Sequence, residues 1–238
     1  MITVLFSGGQ DSTTCLLWAL SHAAKSGEKV QALSISYGQR HLIEMEQAEK
    51  ICNLLQVPRT SIDLGYLFHG ATSSMLADGT PPPDGLGEGV APTFLPGRNG
   101  LFIQVAAIFA ARNCPSDLTE TNSIIVGVNQ VDFSGYPDCR ADFIRAMDMA
   151  LRLGFENPVQ LICPLLYMSK DDIVRFAYHQ LPTIDALYGQ GTVDKVLALT
   201  HTCYNGQRPA CGRCAACLLR KEGFEKAGYK DPAYNEAK

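Results

Sequence analysis

A chain of 238 residues with 46% hydrophobic and 18% charged side chains can bury the core of one α/β domain with a small appendage, which excludes a disordered chain. Its 20 Lys and Arg against 24 Asp and Glu leave a net charge of -4, which argues against a broad, non-specific nucleic-acid surface and predicts no stable nucleic-acid partner. The longest apolar stretch, Leu101 to Ala111, is about 11 residues long and contains Gln104; it is too short to cross a bilayer. Ile2–Phe6 reads as a core strand with no basic segment ahead of it, so a cytoplasmic protein without a membrane partner is expected.

In chain order, Ile2–Phe6 is a short apolar run broken by Ser7-Gly8-Gly9, and Asp11–Ala24 reads as a helix that stops near Gly27. Val30–Ser36 predicts a second strand, and Ile43–Leu55 has the apolar stripe of a helix. Arg59–Leu64 predicts a third strand, Asn99–Asn113 a helix, Ser123–Val128 a strand, Ala141–Leu153 a helix and Val159–Cys163 a strand. Ser169 then caps a helix running to about Gln180, with Asp172 completing a capping box.

This alternation predicts an α/β fold, an open parallel sheet with helices on both faces. Ligands of such sheets bind beyond the carboxyl ends of the strands. Residues 1–180 are expected to form that domain and 181–238 a small helical, metal-binding subdomain. Between Ala77 and Pro92 lie four glycines and four prolines, a composition that predicts a lid over residues 77–92.

Ser7-Gly8-Gly9-Gln10-Asp11-Ser12 follows a strand and opens a helix. Glycines admit close approach of an anion to the backbone, and a helix start offers unpaired N–H groups and a favourable dipole. With Thr13 and Thr14, the segment resembles the SGGxDS loop of ATP pyrophosphatases, which cleave ATP to AMP and pyrophosphate. The expected ATP-binding residues are therefore Phe6, Ser7, Gly8, Gly9, Gln10, Asp11, Ser12, Thr13, Thr14, Cys15 and Leu16, with Asp11 orienting the loop or helping to hold Mg²⁺. Pro164-Leu165 with Ser169-Lys170-Asp171-Asp172-Ile173 resembles a second element of these enzymes, and by that resemblance Lys170 contacts the phosphates.

Nine cysteines fall into two groups. Cys15, Cys52, Cys114, Cys139 and Cys163 are scattered, and all of these but Cys139 read as small buried hydrophobes, whereas Cys203, Cys211, Cys214 and Cys217 are clustered with x7, x2 and x2 spacing. Four thiolates with Gly206, Pro209 and Gly212 to allow tight turns suit a structural zinc ion, one per chain. An iron–sulfur cluster and a redox dithiol are the competing readings. The neighbouring Arg208, Arg213, Arg220 and Lys221 read as solvated charges on a structural knob, or as a nucleic-acid contact.

Phe94-Leu95-Pro96-Gly97-Arg98-Asn99, Gly127 to Arg140 with its Asp132-Phe133-Ser134-Gly135-Tyr136-Pro137-Asp138-Cys139 core, Tyr37-Gly38-Gln39-Arg40-His41 and the four-cysteine tail together resemble the 7-cyano-7-deazaguanine synthase family, from about residue 2 to residue 224. The resemblance implies the reaction. ATP adenylates the carboxylate of 7-carboxy-7-deazaguanine, ammonia gives the amide, and a second ATP activates the amide oxygen so that loss of AMP leaves the nitrile. It implies a homodimer as well. Asp11, Ser12, Lys170 and Arg98 are the expected catalytic residues. Asp132 and Asp138 are candidates for the N–H edge of the deazaguanine, one of them alternatively capping a helix. Tyr136 or Phe133 is a candidate for stacking on the ring. Arg98 is expected at a phosphate or carboxylate, with a structural salt bridge as the alternative; Arg40 and His41 either face the site or open the next helix. An RNA-modifying enzyme and a protein-modifying relative, each with the same loop, are the rival functions.

Overall fold

The computed structural model describes residues 1–77, 79, 84–85, 91–112, 122–131, 135–156 and 159–234. Five strands are present among them: β1 (Ile2–Leu5), β2 (Val30–Ser36), β3 (Arg59–Asp63), β4 (Asn122–Ile125) and β5 (Val159–Ile162). They pair in parallel in the order β3-β2-β1-β4-β5. The central strand is apolar because both its faces are covered. Ile2, Val4 and Phe6 point to one buried cluster, and Leu33, Ile35, Ile124 and Val126 of the neighbouring segments point to the other.

Helices cover the two faces unequally. On the first lie α1 (Gln10–Ser26), α2 (Ile43–Leu54), α5 (Lys170–His179), α6 (Leu181–Tyr188) and α7 (Thr192–Leu199); on the second lie α3 (Arg98–Arg112) and α4 (Ala141–Gly154). The buried side of α3 is Asn99, Ile103, Ala106, Ala107 and Ala110, a three- and four-residue spacing whose alanines let the helix sit close to the sheet. Helix α8 (Ala215–Ala227) packs on α5. Ile184, Val193, Val196, Leu197 and Phe224 share one buried cluster with Ile2, Val4 and Cys15, so this core runs through the expected boundary at residue 180. The cysteine cluster forms a separate small one.

Element ends differ slightly from expectation. Strand β4 stops at Ile125, although Val126 still donates to Ile162 O at 3.0 Å. Beyond that point Gly127 meets the start of α1: a Cβ there would lie 3.1 Å from Asp11 C and Ser12 N, and the sheet gives way to a helix contact. Ser169 caps α5, and Asp172 completes the capping box as expected. Of the 77–92 segment, Ala77 donates to Gly38 O at 3.0 Å, Gly85 donates to Arg213 O at 3.0 Å, and Asp84 pairs with Arg213 at 3.2 Å; residues 78, 80–83 and 86–90 lie outside the described residues. None of the helices among the described residues is long and apolar enough to cross a membrane.

The strand order reverses between β1 and β4. A crevice opens there beyond the carboxyl ends of the strands, the place where doubly wound sheets hold their ligands.

Candidate active site and thiolate cluster

The loop after β1 leads into the N-terminus of α1. Gly8 has φ +81°, and a Cβ on it would lie 2.5 Å from Glu44 O and 2.8 Å from Ala48 N; glycine is thus required for α2 to rest on the loop. Ser7 N donates to Ser12 Oγ at 3.3 Å, the two hydroxyls are 3.1 Å apart, and Ser12 Oγ donates to Gly9 O at 3.2 Å. These bonds fix the loop from within. Gly9 is the N-cap of α1 and supplies no side-chain cap, which leaves the helix start to an incoming anion. Lys170 Nζ lies 2.6 Å from Asp11 Oδ2, while Asp11 Oδ1 is buried and has no hydrogen-bond partner. A carboxylate oxygen in that state suits a cation carried in with a nucleotide.

A loop-to-loop clamp positions Lys170. Asn129 Nδ2 donates to Leu165 O at 2.8 Å and to Met168 O at 2.5 Å, and Gln130 N donates to Leu166 O at 3.1 Å. The segment after β4 therefore holds the one after β5, and Ser169 and Lys170 open α5 beside α1.

A cavity of about 320 Å³ extends from this loop. Of the expected site residues, Phe6, Ser7, Gly9, Gln10, Asp11, Ser12, Arg98, Tyr136 and Lys170 line it. Arg98 lies between two rings, 5.7 Å from the Tyr37 centroid and 5.8 Å from that of Tyr136, an arrangement that holds its cation over aromatic faces. Tyr136 bonds the Thr93 hydroxyl and packs on Phe94 with centroids 5.5 Å apart.

Other expected residues lie elsewhere. Gly8 packs under α2. Thr13, Thr14, Cys15 and Leu16 are fully buried within α1, and Thr14 Oγ1 donates to Gln10 O at 3.0 Å. Asp138 is buried and accepts the backbone N–H of Asn99 at 3.1 Å, which makes it a cap for the start of α3 rather than a wall of the large cavity. Arg40 bonds Gly79 O and borders a smaller cavity beside the large one. Asp132 and Phe133 lie outside the described residues. Arg220 corrects the reading of a solvated charge: it is 2% exposed and its Nε lies 2.5 Å from Asp231 Oδ2. Arg208 donates to Ala198 O at 2.9 Å and Leu199 O at 3.2 Å, at the carboxyl end of α7.

Sequence reasoning missed Glu44. It sits in the first turn of α2, lines the cavity, and is pushed up to about 7 by burial, with the Arg98 charge opposing that shift. An acid in a first helical turn ordinarily reads as a partner of the helix dipole, so nothing local distinguished it. Tyr37 is also a wall, raised to about 12 by burial, and it stays a neutral phenol. Cys139 lines the cavity too; burial pushes its thiol up to about 11, and it is no thiolate nucleophile at neutral pH.

The four clustered cysteines converge. Their Sγ atoms all lie within 4.8 Å of one another, with Cys214–Cys217 at 3.4 Å and Cys211–Cys217 at 3.9 Å. A tetrahedral zinc–thiolate site with bonds of about 2.3 Å requires sulfurs about 3.8 Å apart, and the set fits a metal such as zinc. Backbone N–H groups of Cys211 and Cys214 point at Cys203 and Cys211 Sγ, each at 3.4 Å, as in sites that stabilise thiolates. Hydrogen bonds from Cys214 and Cys217 hold the Cys203 thiol well below its ordinary value.

Comparison with known proteins agrees with this geometry. The sequence model of the family "Queuosine biosynthesis protein QueC" matches residues 1–228. A 7-cyano-7-deazaguanine synthase of Chromobacterium violaceum is 41% identical over 235 residues, covering 96% of this chain and 91% of that protein. The Laribacter hongkongensis protein of the same name is 42% identical, covering 98% and 93%, and one from Clostridium botulinum is 40% identical over 93% of each. With the phosphate loop, the Lys170 element and the four-cysteine tail all inside the matched span, the chain belongs to the QueC family of queuosine biosynthesis proteins.

Proposed function

We propose that this chain is an ATP-dependent carbon–nitrogen ligase that converts 7-carboxy-7-deazaguanine and ammonia into 7-cyano-7-deazaguanine, releasing AMP and pyrophosphate. The observation that carries the reading is the anion loop at Ser7–Ser12, with the Lys170–Asp11 pair at the mouth of a cavity that reaches Arg98 and Tyr136. The unpaired N–H groups at the start of α1 and the Lys170 ammonium suit the phosphates. Neither a carboxylate oxygen nor an amide oxygen leaves at neutral pH, which is why each must be adenylated. The residues then position reactants and stabilise developing charge. Arg98 suits the substrate carboxylate or the α-phosphate, and Tyr136 the base ring, alongside Asp132.

Mg²⁺ entering with ATP would offset phosphate charge, with Asp11 the residue to hold it. Zinc at Cys203, Cys211, Cys214 and Cys217 would be structural, one ion per chain, fastening the tail of residues 203–217. A homodimer, a cytoplasmic location and a lid role for the 77–92 segment belong to the same proposal.

Incubation with ATP, 7-carboxy-7-deazaguanine and ammonium, followed by mass measurement, tests it. The expected products are the nitrile with two AMP and two pyrophosphate. ADP and phosphate in the quenched mixture, or an unchanged acid, would overturn the reading.

A further inference from the structure

Beside the large cavity lies an annex of about 10 Å³. The two share Gln39, Glu44, Met75, His201 and Tyr204 as walls. Arg40 and His41 border only the annex, and each carries a buried nitrogen, Arg40 Nε and His41 Nε2, with no hydrogen-bond partner. Buried polar atoms left unpaired cost about 1–3 kcal/mol each, and a small polar guest removes that cost. The volume admits one molecule the size of water. Ammonia has that size.

We infer that the annex is the binding site of the nitrogen donor and that the Glu44 carboxylate in its wall takes the proton of an arriving ammonium ion. The inference rests on the proposed ligase reading and gives that reaction a place for its second substrate. The proton passes from ammonium nitrogen to a Glu44 oxygen and leaves ammonia with a free lone pair. That pair forms the C–N bond at the adenylated carbon. The C–O bond to AMP breaks, its electron pair departs on the AMP phosphate, and the surplus N–H proton goes to water, as does the proton held by Glu44.

Charge supports the assignment. Glu44 is the acid shared by both cavities, and the cations about it are Arg98 of α3 and Arg40 in the annex. Once Glu44 is protonated, they disfavour a resident cation and leave neutral ammonia as the stable guest. The other titratable groups facing the space are Asp11 of α1, Lys170 of α5, Tyr37, Tyr136 and Cys139, His41 in the annex, and, from the C-terminal segment, His201, Cys203, Tyr204 and Arg220. Glu44 is the carboxylate placed between nucleotide loop and annex, and its value of about 7 suits a base at neutral pH.

The test compares wild type with Glu44→Gln in two measurements on the full chain. The first is exchange of labelled pyrophosphate into ATP, dependent on 7-carboxy-7-deazaguanine, which reads adenylation alone. The second is amide and nitrile formation against ammonium concentration. Glu44→Gln is expected to keep exchange within about threefold while ammonium-dependent turnover falls about 100-fold. Hydroxylamine, already neutral at that pH, restores acyl transfer in the variant. Equal loss of exchange and turnover with no hydroxylamine rescue, or an unaltered ammonium dependence, would overturn the assignment. A wild-type protein without exchange removes the ligase reading and the annex with it, whereas normal wild-type exchange with an indifferent Glu44→Gln removes the annex alone.

Discussion

Lys170 Nζ lies 2.6 Å from Asp11 Oδ2 and joins the first turn of α5 to the first turn of α1 across 159 positions. A lysine at a helix start opposes the dipole. Here Asp11, with Asp171 and Asp172 in the same first turn, offsets that cost and keeps the ammonium beside the loop where phosphates would sit.

Lys170→Ala should lower turnover about 100-fold or more, the usual consequence of removing a preorganised donor from developing phosphate charge. The fold should persist, because the capping box of α5 is made by Ser169 and Asp172 rather than by Lys170. Initial rates of AMP release, with circular dichroism as the fold control, check this. Normal AMP release in the variant would remove Lys170 from the phosphate site.

The pH dependence of the nitrogen step follows from Glu44. Burial raises this carboxyl to about 7. Below that pH the group holds its proton and cannot accept another; above it the carboxylate prevails. Ammonium-dependent turnover should therefore climb as pH rises through about 7, beyond the gain expected from free ammonia, and Glu44→Gln should lose that extra limb. Pyrophosphate exchange should show no such limb in either protein. Initial rates across the range decide it, and identical wild-type and variant profiles would refute it.

How much could be read beforehand depended on where partners lie along the chain. The phosphate loop is spelled in adjacent residues, Ser7 to Ser12, and the thiolate cluster in a span of 15, so composition and spacing exposed both. Asp138 reads equally as a ligand for a base or a cap until Asn99, 39 positions earlier, is seen to donate to it. Arg220 reads as a surface charge until Asp231 and the carbonyl of Leu197 are found beside it. Glu44 became visible only when α2, α3 and the loop after β1 were assembled, because its unusual state comes from burial, against the opposing charge of Arg98, rather than from its neighbours in sequence.

Arg220 gives a stability prediction of its own. Its guanidinium bonds Asp231 at 2.5 Å and 2.7 Å, Thr200 Oγ1 at 2.7 Å and Leu197 O at 3.2 Å, and lies 5.4 Å from the centroid of the Phe224 ring. Arg220→Ala leaves the Asp231 carboxylate buried without its cation, a change that costs about 3–5 kcal/mol. Thermal or urea unfolding should show that loss. The double variant with Asp231→Ala should recover part of it, since the stranded charge goes too. A single variant as stable as wild type would mean that Arg220 does not fasten α8 to the end of α7 and to Asp231.

The last prediction concerns the thiolates. Cys203, Cys214 and Cys217 are buried, and all four Sγ atoms lie within 4.8 Å of one another. Four sulfurs so close, with no further His, Cys, Asp or Glu grouped with them among the described residues, form a closed set that leaves no open position for a substrate. The purified protein should carry about one zinc per chain, measurable by elemental analysis. Cys214 is also the N-cap of α8, the helix that packs on α5 and so stands behind Lys170. Cys214→Ser should therefore lower zinc content and thermal stability together, because metal binding and local folding are linked. Activity should fall through displacement of α5 rather than through loss of a chemical group, so adenylation and amide formation should decline in parallel, unlike the split expected for Glu44→Gln. Brown protein containing iron and labile sulfide would refute zinc. Metal-free protein of undiminished stability would refute a metal site at these cysteines altogether.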